Sequence, residues 1–282
     1  MNDIDKIHIT NTLLLKEVDR ICHQHNIQYF LFAGTLLGCV REKNYISWDD
    51  DADIGFLRSD YEAFIQIAPD YLSDEFELVL PTQTGRFYDM IAKLTYKSSQ
   101  LHNPRKEDDF YEGKYSRISL DLYIIDSACP SKSGFFGQCF ALKTIYGMMM
   151  RYRYQICWDE YSFVERCQIR VLTTFGKLFP LSKLMRWYNT ISKLYDGRIP
   201  DSPFVFTSNS ILPKLQTRYQ KESFSGTIPG KLGDTIFQIP IGFDDILRQR
   251  YGLYMIPHKE IFSTAHASEN EVEVMIHNEV LN

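Results

Sequence analysis

An α/β or α+β domain built on a mixed sheet, with an added helical region, is the fold class predicted by this 282-residue sequence. Short apolar runs bounded by turn residues alternate with helix-periodic segments over the first 126 residues. From Gly134 to about Tyr195 the pattern becomes long helical stretches, several apolar and basic together. An apolar fraction of 44% suffices for a full core, and a net charge of −5 gives no basic surplus for neutralising nucleic-acid phosphates.

In chain order, Leu14, Val18, Ile21 and Cys22 recur at helical spacing and predict a helix packed on the core. Tyr29 to Ala33 is short, aromatic and apolar, and predicts a buried strand that turns at Gly34, followed by a brief helix over Leu36 to Val40. Ala52 to Leu57 predicts a second strand, and Asp60 to Ile67 a helix capped by Ser59 or Asp60. Further strands are expected at Glu77 to Leu80, Met90 to Leu94 and Ile118 to Ile124. Pro/Gly-rich turns around Ser225 to Gly233 precede a strand at Thr235 to Ile239 and a helix over Asp244 to Tyr251, ended by Gly252. These divide the chain into a sheet core over 1–130, a helical region over 131–200 and a C-terminal segment, 201–282, that completes the core as one continuous unit.

Six cysteines lack any Cys-x-x-Cys pair and are expected to be buried free thiols. The first residues lack a signal peptide's basic flank and apolar run, and no stretch reaches the roughly 20 apolar residues of a spanning helix. A reducing cytoplasm is the expected location.

The chemistry is concentrated in Trp48-Asp49-Asp50-Asp51-Ala52-Asp53. Four aspartates in five residues raise one another's pKa unless a cation neutralises them. Side chains alternate along a strand, so Asp51 and Asp53 project the same way and can share a hard ion such as Mg2+ or Mn2+, with Asp49 in support. A solvated acidic turn is the alternative. Against it, an apolar strand follows directly, and a strand-Gly-Thr-helix unit with backbone amides suited to phosphate precedes. A calcium loop is excluded, because Ile54 and Asp60 stand where such a loop needs Gly and a bidentate Glu.

Tyr29 to Arg41, Trp48 to Ile54 and Asp60-Tyr61 together resemble the LicD family, phosphotransferases related to fukutin and the fukutin-related protein. The likeness continues in Ala92-Lys93-Leu94, in Leu120 to Asp126, in Ile239 to Asp244 and in Tyr251-Gly252. Tyr123-Ile124 departs from the family's usual Phe-Pro, and the cysteine-rich zinc insertion of the fukutin-related branch is absent, so the bacterial type is the nearer match.

The resemblance implies a nucleotidyltransferase-like fold in which Gly34 and Thr35 hold phosphate and Asp51, Asp53 and Asp121 are catalytic carboxylates. These three and Asp49 would bind Mg2+ or Mn2+. It also implies transfer of phosphocholine from CDP-choline, or of another phospho-alcohol from its CDP form, to a glycan hydroxyl; a silent nucleotide- or glycan-binding module is the alternative outside enzymology. Each like-charge contact between a diphosphate and these carboxylates at about 4 Å costs on the order of 4 kcal/mol at an effective dielectric near 20, so a divalent cation is expected. Arg41 and Lys93 are candidates for donor phosphate charge. His266 either reaches the site or is structural, and Trp48 either stacks on a base or choline or packs as an anchor. Phe135 to Tyr154, with three methionines and two arginines, either packs in the core or meets the inner membrane face, where a lipid-linked glycan would reside.

Overall fold

Asn2 starts the first helix, α1 (Asp3–His25): its side chain accepts from the Asp5 N–H at 2.7 Å while the Asp5 carboxylate accepts from the Asn2 N–H. The helix therefore begins well before the periodic Leu14-to-Cys22 face that buries it, and Asn26 ends it in the left-handed conformation. The computed structural model describes residues 2–81, 85–197, 201–210, 214–256, 272–276 and 279–280.

Next come β1 (Phe30–Leu31), α2 (Ala33–Arg41), β2 (Ala52–Leu57), α3 (Arg58–Tyr71), β3 (Phe76–Val79), β4 (Ala92–Tyr96), β5 (Ser99–Gln100), α4 (Lys106–Phe110) and β6 (Ser119–Ser127). The core sheet has the order β1-β2-β6-β4-β3, parallel between β2 and β6 and antiparallel elsewhere. A parallel pair buried on both faces needs continuous apolar character, which β2 has after its last aspartate and β6 has through Tyr123, Ile124 and Ile125. Then follow α5 (Lys132–Met149), α6 (Phe163–Gly176), α7 (Leu181–Ser192), β7 (Phe204–Thr207), β8 (Arg218–Gln220), β9 (Thr227–Leu232), β10 (Thr235–Pro240), α8 (Phe243–Tyr251), β11 (Glu273–Ile276) and β12 (Glu279–Val280).

This is a mixed α/β fold with a core sheet and a helical region. Its contacts divide into two compact units. The first, Met1–Val79, Ala92–Ile125 and Glu222–Asn282, holds the core sheet. The second, Leu80–Ile91 and Asp126–Lys221, has its own core, in which Leu142, Met149, Leu184 and Tyr188 pack with Phe206. The sequence placed its boundaries near 130 and 200, whereas the contacts carry 80–91 and 201–221 with the helices.

Three local expectations are corrected. The first strand ends at Leu31 and the turn falls on Ala33, at φ +42°, so that Gly34 and Thr35 already belong to the first turn of α2. Neither Ser59 nor Asp60 caps α3; the Asp60 carboxylate accepts instead from the Gln28 N–H at 2.9 Å. Ser225 to Gly233 is mostly strand: β9 forms a hairpin with β10 around Gly233 (φ +59°), and it carries Pro229 because a two-stranded ribbon leaves that backbone nitrogen without a required partner.

Four cysteines are buried and Cys157 and Cys167 are exposed, all six as free thiols. Met148 to Met150 are core residues, while Phe136 and Phe140 on the same stretch are exposed. No helix among the described residues is long and apolar enough to cross a membrane.

Phe56, fully buried in β2, stacks on Phe64 of α3 with ring centres 5.1 Å apart. Phe56→Ala is expected to cost about 3–5 kcal/mol, read as a lower denaturant midpoint by tryptophan fluorescence or circular dichroism; a loss below about 1 kcal/mol would contradict this packing.

Candidate active site

Asp53 and Asp121 are neighbours because β2 and β6 run parallel with these two residues in register. On the other side of β6, antiparallel β4 sets Lys93 opposite Asp121, and the Lys93 ammonium forms an ion pair with the Asp121 Oδ1. Two adjacent strands thus place a carboxylate on each side of one sheet line, with a cation next to the second.

The first turn of α2 closes on this line from the β1 side. The Phe32 N–H donates to the Asp53 carbonyl at 3.0 Å, and the Asp53 N–H donates to the Thr35 Oγ1 at 2.8 Å. The Gly34 N–H donates to the Asp53 Oδ2 at 3.3 Å. An unpaired amide at a helix N-terminus favours negative charge, so the Gly34-Thr35 turn holds the Asp53 strand and its carboxylate together. Glycine is required at 34 for space: a Cβ there would lie 2.4 Å from the Asp49 Oδ2.

Asp49 is fixed from two sides. Its N–H donates to the Ile46 carbonyl at 3.0 Å, and its own carbonyl accepts from the His8 Nε2 of α1 at 2.8 Å. The His8 ring stacks on Tyr45 with centres 4.6 Å apart, and burial lowers its pKa, which keeps the imidazole neutral.

The carboxylates are crowded enough to change one another's chemistry. Burial, followed by the charge of Asp51, pushes Asp49 up to about 8. Loss of water on the protein side and then the charge of Asp121 push Asp51 up to about 6, although its outer edge meets solvent. Asp53, only 4% exposed, is raised well above the carboxylate range by burial and then by Asp51, Asp121 and Asp49. Arg250 opposes this shift from the last turn of α8. Its guanidinium lies 5.2 Å from the centre of the Phe32 ring, and its Nε donates to the Tyr251 hydroxyl at 3.2 Å.

Of the residues singled out from sequence, Gly34, Thr35, Asp49, Asp51, Asp53, Lys93 and Asp121 are linked by these contacts. Arg41 is held elsewhere, donating to the Tyr254 carbonyl at 3.2 Å and pairing with Glu42 at 2.7 Å. Trp48 is half-buried, and its indole Nε1 is buried with no hydrogen-bond partner among the described residues. His266 lies outside the described residues. Sequence reasoning missed His8, Arg250 and Tyr251. Tyr251 stands in a matched motif, but nothing in local pattern gives any of the three a role.

The donor set is oxygen-only and its mutual repulsion is only partly relieved, which suits a hard divalent cation. Among the described residues no three His, Cys, Asp or Glu side chains form a ready ligand cage. Mg2+ in transferase sites is commonly held by one or two carboxylates together with water and substrate phosphates, and Asp51 with Asp53 fit that requirement.

Residues 26–117 match the model of the LicD/FKTN/FKRP nucleotidyltransferase domain. The matched span contains β1, α2 and β2 with Asp49, Asp51 and Asp53, and ends two residues before β6 and four before Asp121. The core sheet and helical region agree with a nucleotidyltransferase-like architecture. The chain is 25% identical over 261 residues to the lipopolysaccharide cholinephosphotransferase LicD of Haemophilus influenzae, covering 88% of this chain and 90% of that protein. An uncharacterized protein of Rickettsia typhi is 26% identical over 151 residues, 54% of this chain and 47% of its own. One from Rickettsia prowazekii is 40% identical over 58 residues, 21% of this chain and 22% of its own.

The raised carboxyl groups fix the sign of a pH effect. A carboxyl raised on folding supports stability fully below its unfolded pKa near 4, and that support is lost as pH rises through the folded value, about 8 for Asp49. Asp49→Asn in chelator-treated protein is therefore expected to raise Tm relative to wild type at pH 8, with the gap closing towards pH 4. Equal Tm differences at both pH values, measured by differential scanning fluorimetry, would contradict the crowding.

Proposed function

We propose that this chain is a metal-dependent phosphotransferase that moves a phospho-alcohol group, phosphocholine by default, from a CDP-activated donor such as CDP-choline to a hydroxyl of a cell-surface glycan, releasing CMP. The observation that carries the proposal is the register of Asp53 with Asp121 across parallel strands, with Asp51 immediately before the first residue of β2. Similarity to a cholinephosphotransferase over most of both chains supports the choice of donor.

Asp51 and Asp53 would hold the cation, with Asp121 and Asp49 next to them. Bound Mg2+ or Mn2+ would supply the charge that lets a diphosphate approach these carboxylates. The Gly34 amide and Arg250 favour negative charge beside Asp53. Lys93 pairs with Asp121, the carboxylate that would accept the acceptor hydroxyl's proton. The acceptor oxygen then bonds to the phosphorus that bears the alcohol, the bond from that phosphorus to the CMP oxygen breaks, and CMP leaves with the electron pair. On this reading the reaction takes place in the cytoplasm, on a glycan that is lipid-linked or free.

Incubation with CDP-choline, Mg2+ and a glycan acceptor should yield CMP, detected by chromatography. Asp53→Asn and Asp121→Asn should each lower turnover by about 10²-fold or more with the fold retained. CDP-ethanolamine, CDP-glycerol and CDP-ribitol run in parallel identify the alcohol. No CMP from any of them, with donor affinity intact in Asp53→Asn, would replace the transferase by a binding module.

A further inference from the structure

α6 is apolar on two faces, and within its own unit only one of them is packed. Ile169 and Gly176 are buried, with Leu172 set against Gly147 and Gly176 against the Met148 backbone of α5. On the opposite side Val164, Cys167, Val171, Phe175 and Leu178 follow one another at steps of three and four residues, which makes one continuous stripe. Phe163 extends it at the N-terminal end. The five carbon side chains of this surface are 55% to 79% exposed. Scattered exposed apolar residues need no explanation, but a stripe along a whole helix does.

Asp159, Glu160 and Glu165 flank the N-terminal end of the stripe, and from Arg166 onward the charge around it has one sign. Although the whole chain carries −5, residues 127–195 contain ten lysines and arginines against three acidic residues, and 166–195 contain six basic residues and no acid. Arg170 and Lys177 lie exposed beside the stripe and Arg186 lies exposed on α7, while the Lys183 ammonium sits 5.1 Å from the centre of the Trp187 ring. An apolar helix face flanked by exposed cations matches the interfacial region of a bilayer that bears anionic headgroups.

We propose that the exposed face of α6 docks this unit on an anionic membrane surface, with Val171, Phe175 and Leu178 entering the headgroup boundary and Arg170, Lys177 and Arg186 meeting lipid phosphates. The helix lies along the membrane and does not cross it. The segment is distinct from the Phe135-to-Tyr154 stretch, whose methionines are occupied in the core. The inference needs no transferase activity, so it stands or falls separately from the function proposed above.

The test is co-flotation of the full chain with vesicles of phosphatidylcholine alone and of phosphatidylcholine with phosphatidylglycerol. Wild type should float with the anionic vesicles, and added salt should weaken this. Val171→Asp or Phe175→Asp should weaken partitioning by about tenfold. Each of Arg170→Glu and Lys177→Glu should weaken it by on the order of fivefold. Ile236→Asp, which removes an equally exposed apolar residue of β10, should leave it unchanged, and circular dichroism should show every variant folded. Failure of wild type to float, or flotation untouched by Val171→Asp and Phe175→Asp, overturns the proposal. So does a stable dimer in light scattering that Val171→Asp splits, since the stripe would then be a seam between two copies.

Discussion

The parallel register of β2 and β6 forces two carboxylates into adjacent strand positions, and the local structure around them is arranged to bear that repulsion. Neighbouring strands lie roughly 4.8 Å apart, so Asp53 and Asp121 cannot separate without losing the ladder. Asp121 is relieved by Lys93, which β4 brings opposite it by a second register constraint. Asp53 has no such partner on the sheet, and takes a helix amide from Gly34 and a more distant charge from Arg250. Asp49 and Asp51 have each other as hydrogen-bonding neighbours, which requires that one of them hold a proton.

That requirement reaches into the backbone. The chain leaves β1 and enters α2 through Ala33 at φ +42°, a left-handed conformation that costs an alanine roughly 1–2 kcal/mol. Moving the turn to Gly34 would remove this cost. It would also shift the glycine away from Asp49, where a Cβ cannot fit, and would turn the Gly34 N–H away from Asp53. Three hydrogen bonds between the α2 entrance and the Asp53 strand, each with a net worth of about 1 kcal/mol, offset the strain.

The same residues show what was legible in the sequence. β2 is seen over its whole length because apolar character switches on directly after the last aspartate; strand alternation, however, covers Asp53 alone, because the strand begins at Ala52 and Asp51 precedes it. The turn at Ala33 was not legible, since Gly34 announces freedom of φ and the structure uses instead its missing side chain. β9 was hidden by Pro229 and Gly230, which read as turn residues; in the hairpin the glycine lets Ile239 and the Cys39 sulfur approach to within 2.8 Å of where a Cβ would be. Lys93 and Asp121 were each picked out, but their contact depends on strand order, which one sequence does not display. His8 and Arg250 come from helices far away along the chain, and only the tertiary fold gives them their place at the site.

Two protonation states of the cluster follow from these constraints. Without a cation, crowding raises Asp49 to about 8 and raises Asp53 as well, so the bare site carries less negative charge near neutral pH than its count of aspartates suggests. Metal ligation needs ionised carboxylates, so binding a divalent cation here must expel those protons. On the proposed function, cation affinity would then weaken as pH falls, and the charge that a diphosphate donor would meet is set by that exchange and not by the aspartates alone. Lys93 stands beside it, paired with Asp121 by the sheet register. On the proposed reading, the acceptor side of the site is therefore positioned by the sheet alone, and the donor side would become ready only when the cation has displaced the protons.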